Sequence, residues 1–171
     1  FGLLARDSIL VSDNAVNRPR VYDAGAGRTL TLGGNVTYSA AGNPLSSSIS
    51  GGTLSLGSAS RTFLVESSPD PTGIDLEILS VVSGSGGLIK SGIGALDLLN
   101  AANAYTGQTA IQSGILSASS LANLSNNSAL GAPTTVADGT IAIGSGTDGG
   151  TLQYLGSSPS TTNRVVDLAG T

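Results

Sequence analysis

A chain of 171 residues carrying a formal charge of −4 and a sequence pI near 4.4 fits one domain, or one piece of a longer protein, and argues against nucleic acid or an anionic membrane surface as partner. With no Cys and no His, thiolate and imidazole metal sites are excluded, as are Cys–His and Ser–His–Asp catalysis. Leu, Ile, Val and Phe supply about a quarter of the residues, more than a disordered chain carries, yet no apolar run approaches the roughly 18 residues that span a bilayer.

The chain begins at Phe1 without Met or a signal peptide, which predicts a processed or truncated product. Residues 1–20 hold a charged stretch from Arg6 to Arg20 with Pro19, read as an N-terminal cap or lead-in. Thr29-Leu30-Thr31-Leu32-Gly33 then introduces a pattern that returns as Thr53-Leu54-Ser55-Leu56-Gly57. Looser copies follow at Asp75-Leu76-Glu77-Ile78, Ala95-Leu96-Asp97-Leu98, Ile115-Leu116-Ser117-Ala118 and Thr140-Ile141-Ala142-Ile143-Gly144. Apolar residues two apart make each copy a short strand with one inward face. The interval between copies averages about 22 residues, read from the first apolar positions. Further short strands are predicted at 36–38, 63–65, 80–82 and 109–111, and residues 164–171 read as strand and turn with no cap.

A sandwich or meander shows a strand about every 8 to 12 residues and repeats at each one. Here the similarity returns only after two or three strands, as in a chain that winds in coils. Gly, Ser, Thr and Asn crowd every window, so helices are not expected. The predicted fold is an all-β parallel β-helix of about 20–25 residues per coil, formed by 1–171 as a single segment of a longer repeat protein. An all-β sandwich is the structural alternative.

Stacking the copies gives a core ladder of Leu30, Leu32, Leu54, Leu56, Leu76, Ile78, Leu96, Leu98, Leu116, Ile141 and Ile143. Thr31, Ser55, Glu77, Asp97 and Ser117 alternate with these and are expected to face outward.

The run Gly86-Gly87-Leu88-Ile89-Lys90-Ser91-Gly92-Ile93-Gly94-Ala95-Leu96-Asp97-Leu98 is followed by Asn103-Ala104-Tyr105-Thr106-Gly107-Gln108-Thr109 and Gly114-Ile115-Leu116. This stretch, about residues 84–118, resembles the autotransporter-associated β-strand repeat. Lys90, Gly92, Gly94, Leu96, Leu98, Tyr105, Thr106, Gly107 and Thr109 match its recurring positions, whereas Ala95 and Asp97 stand where Thr is usual and Gln108 where a second Gly is common. The resemblance implies a right-handed β-helix on or outside a bacterial cell of Gram-negative type, serving as stalk, adhesin scaffold or export aid.

Candidates for chemistry are few. Glu77 and Asp97 occupy equivalent positions on successive coils, a separation that suits a retaining glycosidase pair; the plainer reading is two solvated surface acids. Glu66, Asp70 and Asp75, around Pro69 and Pro71, are weak calcium candidates beside the simpler reading of an exposed turn. Gly144-Ser145-Gly146-Thr147-Asp148-Gly149-Gly150 is only faintly like a calcium-binding nonapeptide turn, with the wrong spacing after Asp148. Asn35, Asn123 and Asn126 begin glycosylation sequons by pattern. Lys90, the sole lysine, is expected on the surface near a turn, in preference to bridging corner carbonyls or pairing with Asp97.

No catalytic residue and no cofactor is expected. The favoured function is a non-catalytic structural segment of a secreted or cell-surface bacterial protein: a passenger, adhesin stalk or fibre. The alternative is a β-helix that binds or cleaves carbohydrate, for which four Tyr, two Phe and no Trp make a poor platform. Expected partners are further coils of the same chain, end-to-end copies, and surface glycans.

Overall fold

The computed structural model of this chain describes residues 2–5, 9–11, 21–23, 25–41 and 45–168. The strands are too short to stand alone, so each is stabilised by an equivalent strand one coil away. The first coil contributes β1 (Gly2–Ala5), β2 (Ile9–Val11) and β3 (Val21–Asp23), and the second β4 (Thr29–Leu32), β5 (Val36–Tyr38) and β6 (Ser47–Ser50). The third holds β7 (Thr53–Ser55), β8 (Arg61–Val65) and β9 (Leu76–Ile78); the fourth holds β10 (Val81–Ser83), β11 (Leu88–Ser91) and β12 (Ala95–Leu98). Two strands each remain in the next coils, β13 (Thr109–Ile111) with β14 (Gly114–Ala118), then β15 (Ile141–Ile143) with β16 (Gly150–Tyr154). The last described strand is β17 (Val166–Asp167).

Up to β12 every third strand pairs in parallel, and from β11 onward every second one does, which makes the chain a parallel β-helix with three sheets. The first sheet runs β1-β4-β7-β10, the second β2-β5-β8-β11-β13-β15-β17, and the third β3-β6-β9-β12-β14-β16. The second sheet has seven strands, roughly 30 Å of stack at about 4.8 Å per step.

The register builds a continuous apolar interior. Leu30 lies on Leu54 and Leu54 on Val82 in the first sheet. Leu76, Leu96, Leu116 and Leu152 align in the third, beside Ile78, Leu98, Ala118 and Tyr154. Leu30, Leu32, Leu54, Leu56, Leu76, Ile78, Leu96, Leu98, Leu116 and Ile141 are buried, and Ile143 is partly so. Each fully buried leucine or isoleucine contributes about 1.5–3 kcal/mol.

The eleven do not form one ladder. Leu30 and Leu54 belong to the first sheet, Leu76, Leu96 and Leu116 to the third, and Ile141 to the second. The spacing from Leu54 to Leu76 is therefore a step within one coil. True coils range from 20 residues between Asp75 and Ala95 to 36 between Ser117 and Gln153. The extra length lies in corners and in α1 (Val136–Gly139), a single helical turn absent from the sequence expectation. Thr135 caps it, its hydroxyl accepting from the Asp138 N–H.

After β10 the first sheet has no further strand among the described residues, but the stack continues. The Ala104 and Thr106 N–H groups donate to the Val82 and Gly84 carbonyls, and Ala132 N–H to that of Tyr105. Of the expected N-terminal cap, Gly2–Ala5 and Ile9–Val11 are ordinary rungs; the remainder of 1–20, like 169–171, lies outside the described residues.

Candidate functional site

Chemistry-bearing side chains gather at the corner between the second and third sheets. Alternation along β11 turns Leu88 and Lys90 inward and leaves Ile89 partly exposed. Lys90 thus takes an interior position between Phe63 and Ile111 in adjacent coils and is completely buried. An ammonium has three N–H donors and cannot be buried without partners. Lys90 Nζ donates to the carbonyls of Ser91 at 2.9 Å, Gly92 at 2.7 Å and Ser113 at 3.1 Å. The surface reading of Lys90 is corrected: its partners are corner carbonyls, two in its own coil and one in the next. Burial pushes the ammonium down to about 8, opposed by the charge of Asp75.

Glycine makes this corner possible. Gly92 and Gly114 adopt φ of 78° and 69°, in the left-handed region. A Cβ on Gly114 would also lie 2.8 Å from Lys90 Nζ and 2.6 Å from the Gly94 carbonyl.

Glu77 and Asp97 are register partners on β9 and β12, followed by Ser117 and Gln153. Asp97 is not a solvated surface acid, being 4% exposed. Its short side chain stays between the longer Glu77 and the next rung at Ser117. Burial raises the Asp97 carboxyl, against the Ser117 hydroxyl that favours its charge. Burial and then the charge of Asp97 raise Glu77. With Asp97 covered, its carboxyl is not open to a substrate in this arrangement.

The three calcium candidates are each engaged by hydrogen bonds within the stack, several of them from an adjacent coil. Asp75 accepts from Ser68 N–H at 2.6 Å, Ser68 hydroxyl at 2.7 Å and Ala95 N–H at 2.8 Å. Asp70 accepts from Ser46 and Thr72, and Glu66 from Ser39 and the Ala40 N–H. Among the described residues no group of three or more ligand side chains is placed to hold a metal ion. Of the sequon asparagines, Asn35 accepts from Thr62 N–H and Asn123 from Asn163 N–H, each across to another coil.

Two structural residues were missed by the sequence reading. Asn103, fully buried, accepts from Val82 N–H at 2.8 Å and donates to the Ala129 carbonyl at 2.9 Å, so one amide carries the first face from coil to coil. Arg164 does the same higher up, donating to the Gly139 and Leu130 carbonyls. Its second terminal nitrogen, Nη2, is buried without a partner. The only sequence signal was Asn103's place before Tyr105-Thr106-Gly107 in the best-matched stretch.

Residues 88–118 match the model of the passenger-associated-transport-repeat family. The chain is also 33% identical over 139 residues to the adhesin BmaC autotransporter of Brucella suis biovar 1 (strain 1330), a match that covers 80% of this chain and 4% of that protein. The chain therefore spans a small fraction of this relative's length. No solved structure matches it at a significant level. Among the described residues no helix is long and apolar enough to cross a membrane.

Proposed function

We propose that the chain is a non-catalytic β-solenoid segment of an extracellular bacterial protein, an autotransporter passenger with an adhesin-like or stalk role. The observation that carries this reading is the unbroken interior column Leu76–Leu96–Leu116–Leu152, which turns consecutive coils into one stiff stack. The repeat at 88–118 and the likeness to an autotransporter adhesin support a place at or beyond the cell surface. On this reading residues 1–171 form one structural unit that continues into further coils or stacks on another copy. The burial of Asp97 and the sparse aromatic content speak for a scaffold over a carbohydrate-cleaving β-helix.

Antibodies raised against the purified chain test the location. They are expected to label intact, unpermeabilised cells that express the full protein, or to detect it in the medium. Labelling that requires permeabilisation would overturn the reading.

A further inference from the structure

The corner pinned by Lys90 forms one side of an open cleft of about 690 Å³. Its floor is made from the tight corners of two coils, at 91–93 and 112–114. In the next coil the corner lengthens into the loop 144–149 between β15 and β16. This loop closes on itself: Ser145 and Asp148 exchange N–H to carbonyl bonds, each at 3.0 Å, across Gly146 at a φ of 58°. It stands as a wall over the floor.

Three features distinguish this cleft from the other corners. Among the described residues the side chains of Gln112, Thr147 and Asp148 make no hydrogen bond, whereas Glu66, Asp70 and Asp75 accept from backbone and hydroxyl donors in their own and neighbouring coils. Ile93 stands at the floor 78% exposed, an apolar branch with no neighbour covering it. The floor backbone is held by the Lys90 ammonium beneath it, so that side of the cleft is preorganised.

We propose that this cleft binds a neutral polyhydroxylated ligand, a short oligosaccharide, with the Asp148 carboxylate and Gln112 amide on its hydroxyls and Ile93 under a C–H face. The chemistry selects this class. A lone carboxylate with no basic side chain in the cleft disfavours anions, and a single carboxylate is too few for a divalent cation. One apolar side chain is too little for a hydrophobic ligand. An acceptor, an amide and hydroxyls around a small apolar surface complement a sugar ring. The proposal rests on the surface-segment reading and gives that surface a ligand class.

The test is an NMR titration of the ¹⁵N-labelled chain with N-acetylchitotriose, maltotriose and laminaritriose, and with trigalacturonic acid as the charged control. At least one neutral trisaccharide is expected to shift amides at 91–93, 112–114 and 145–149, with half-saturation at about 1 mM. Asp148→Ala and Gln112→Ala should each weaken binding at least about fivefold, roughly the loss of one hydrogen bond to ligand, while melting like the parent chain. Absence of shifts in those segments with all neutral probes at about 10 mM, tighter binding of the charged probe, or binding unchanged in Asp148→Ala would overturn the proposal. A cooperative melt of the same sample reports the solenoid separately, so loss of the ligand site does not count against the scaffold.

Discussion

Lys90 and Ser113 belong to successive coils, and the ammonium of the first donates to the carbonyl of the second at 3.1 Å. A buried cation thus joins two turns of an otherwise apolar stack, and its titration should be visible in stability. The folded value is near 8 against 10.5 in the unfolded chain, so between these values the unfolded state holds the extra proton. Stability therefore rises as pH increases from about 8 toward 10, by up to about 3 kcal/mol if the full difference were realised. Tyr105 acts in the opposite sense: burial pushes its phenol up to about 12, so above 10 the unfolded state loses protons first and stability falls. Urea midpoints measured against pH should pass through a maximum near pH 10. In Lys90→Met the rising limb should vanish while the fall above pH 10 remains.

At acid pH the stacked carboxylates set the trend. Asp97 and Glu77 are both raised by burial, so the folded state holds protons that the unfolded state has already released. Their contribution is most favourable below the ordinary carboxylate range and is lost as pH rises through their folded values. Asp97→Asn should stabilise the chain at pH 7 and make little difference at pH 3. A loss of stability at pH 7 would show that the charged form of Asp97 is favoured in the fold.

Leu96, one residue away, behaves differently. It is fully buried between Leu76 and Leu116. Leu96→Asp places a carboxylate in the apolar column and should cost upwards of about 4 kcal/mol, or prevent folding. Comparing the melting temperatures of Leu96→Asp and Asp97→Asn tests the inward and outward assignment of β12 directly.

Asn103 carries the fourth prediction. Asn103→Ala leaves the Val82 N–H and the Ala129 carbonyl buried and unpaired, and should cost about 2–4 kcal/mol. Asn103→Asp keeps the acceptor but sets a carboxylate against the Ala129 carbonyl, and should cost at least as much at pH 7. Chemical denaturation of both variants measures this, and losses under 1 kcal/mol would refute the amide ladder.

The coiled architecture was readable because Thr-Leu-Thr-Leu and its copies carry a two-residue period between glycine corners, and backbone pairing at that period has few outcomes. The allotment of copies to faces was not, since Leu54 and Leu76 have the same local pattern while lying on different sheets of one coil. Lys90 could have been placed: it shares parity with Leu88 in a strand whose outward partner is Ile89. Parity also placed Asp97 between inward neighbours, but its burial comes from Glu77 and Ser117 in other coils, which no local window contains. Asn103 and Arg164 lie outside any strand and so outside any periodicity.

The final prediction concerns the C-terminal end of the stack. β16 and β17 are the terminal strands of their sheets among the described residues. Around them Tyr154, Leu155, Val165, Val166 and Leu168 are exposed, Leu168 at 73%. Exposed apolar side chains beside the last strands of a stack form a surface that another parallel coil would cover. The purified chain should therefore associate end to end as concentration rises, in light scattering. Val166→Lys with Leu168→Lys should suppress this while leaving the melt of the stack intact, because neither side chain is part of the interior column. A monodisperse monomer at high concentration, or association that persists unchanged in the double variant, would rule out this end as the contact.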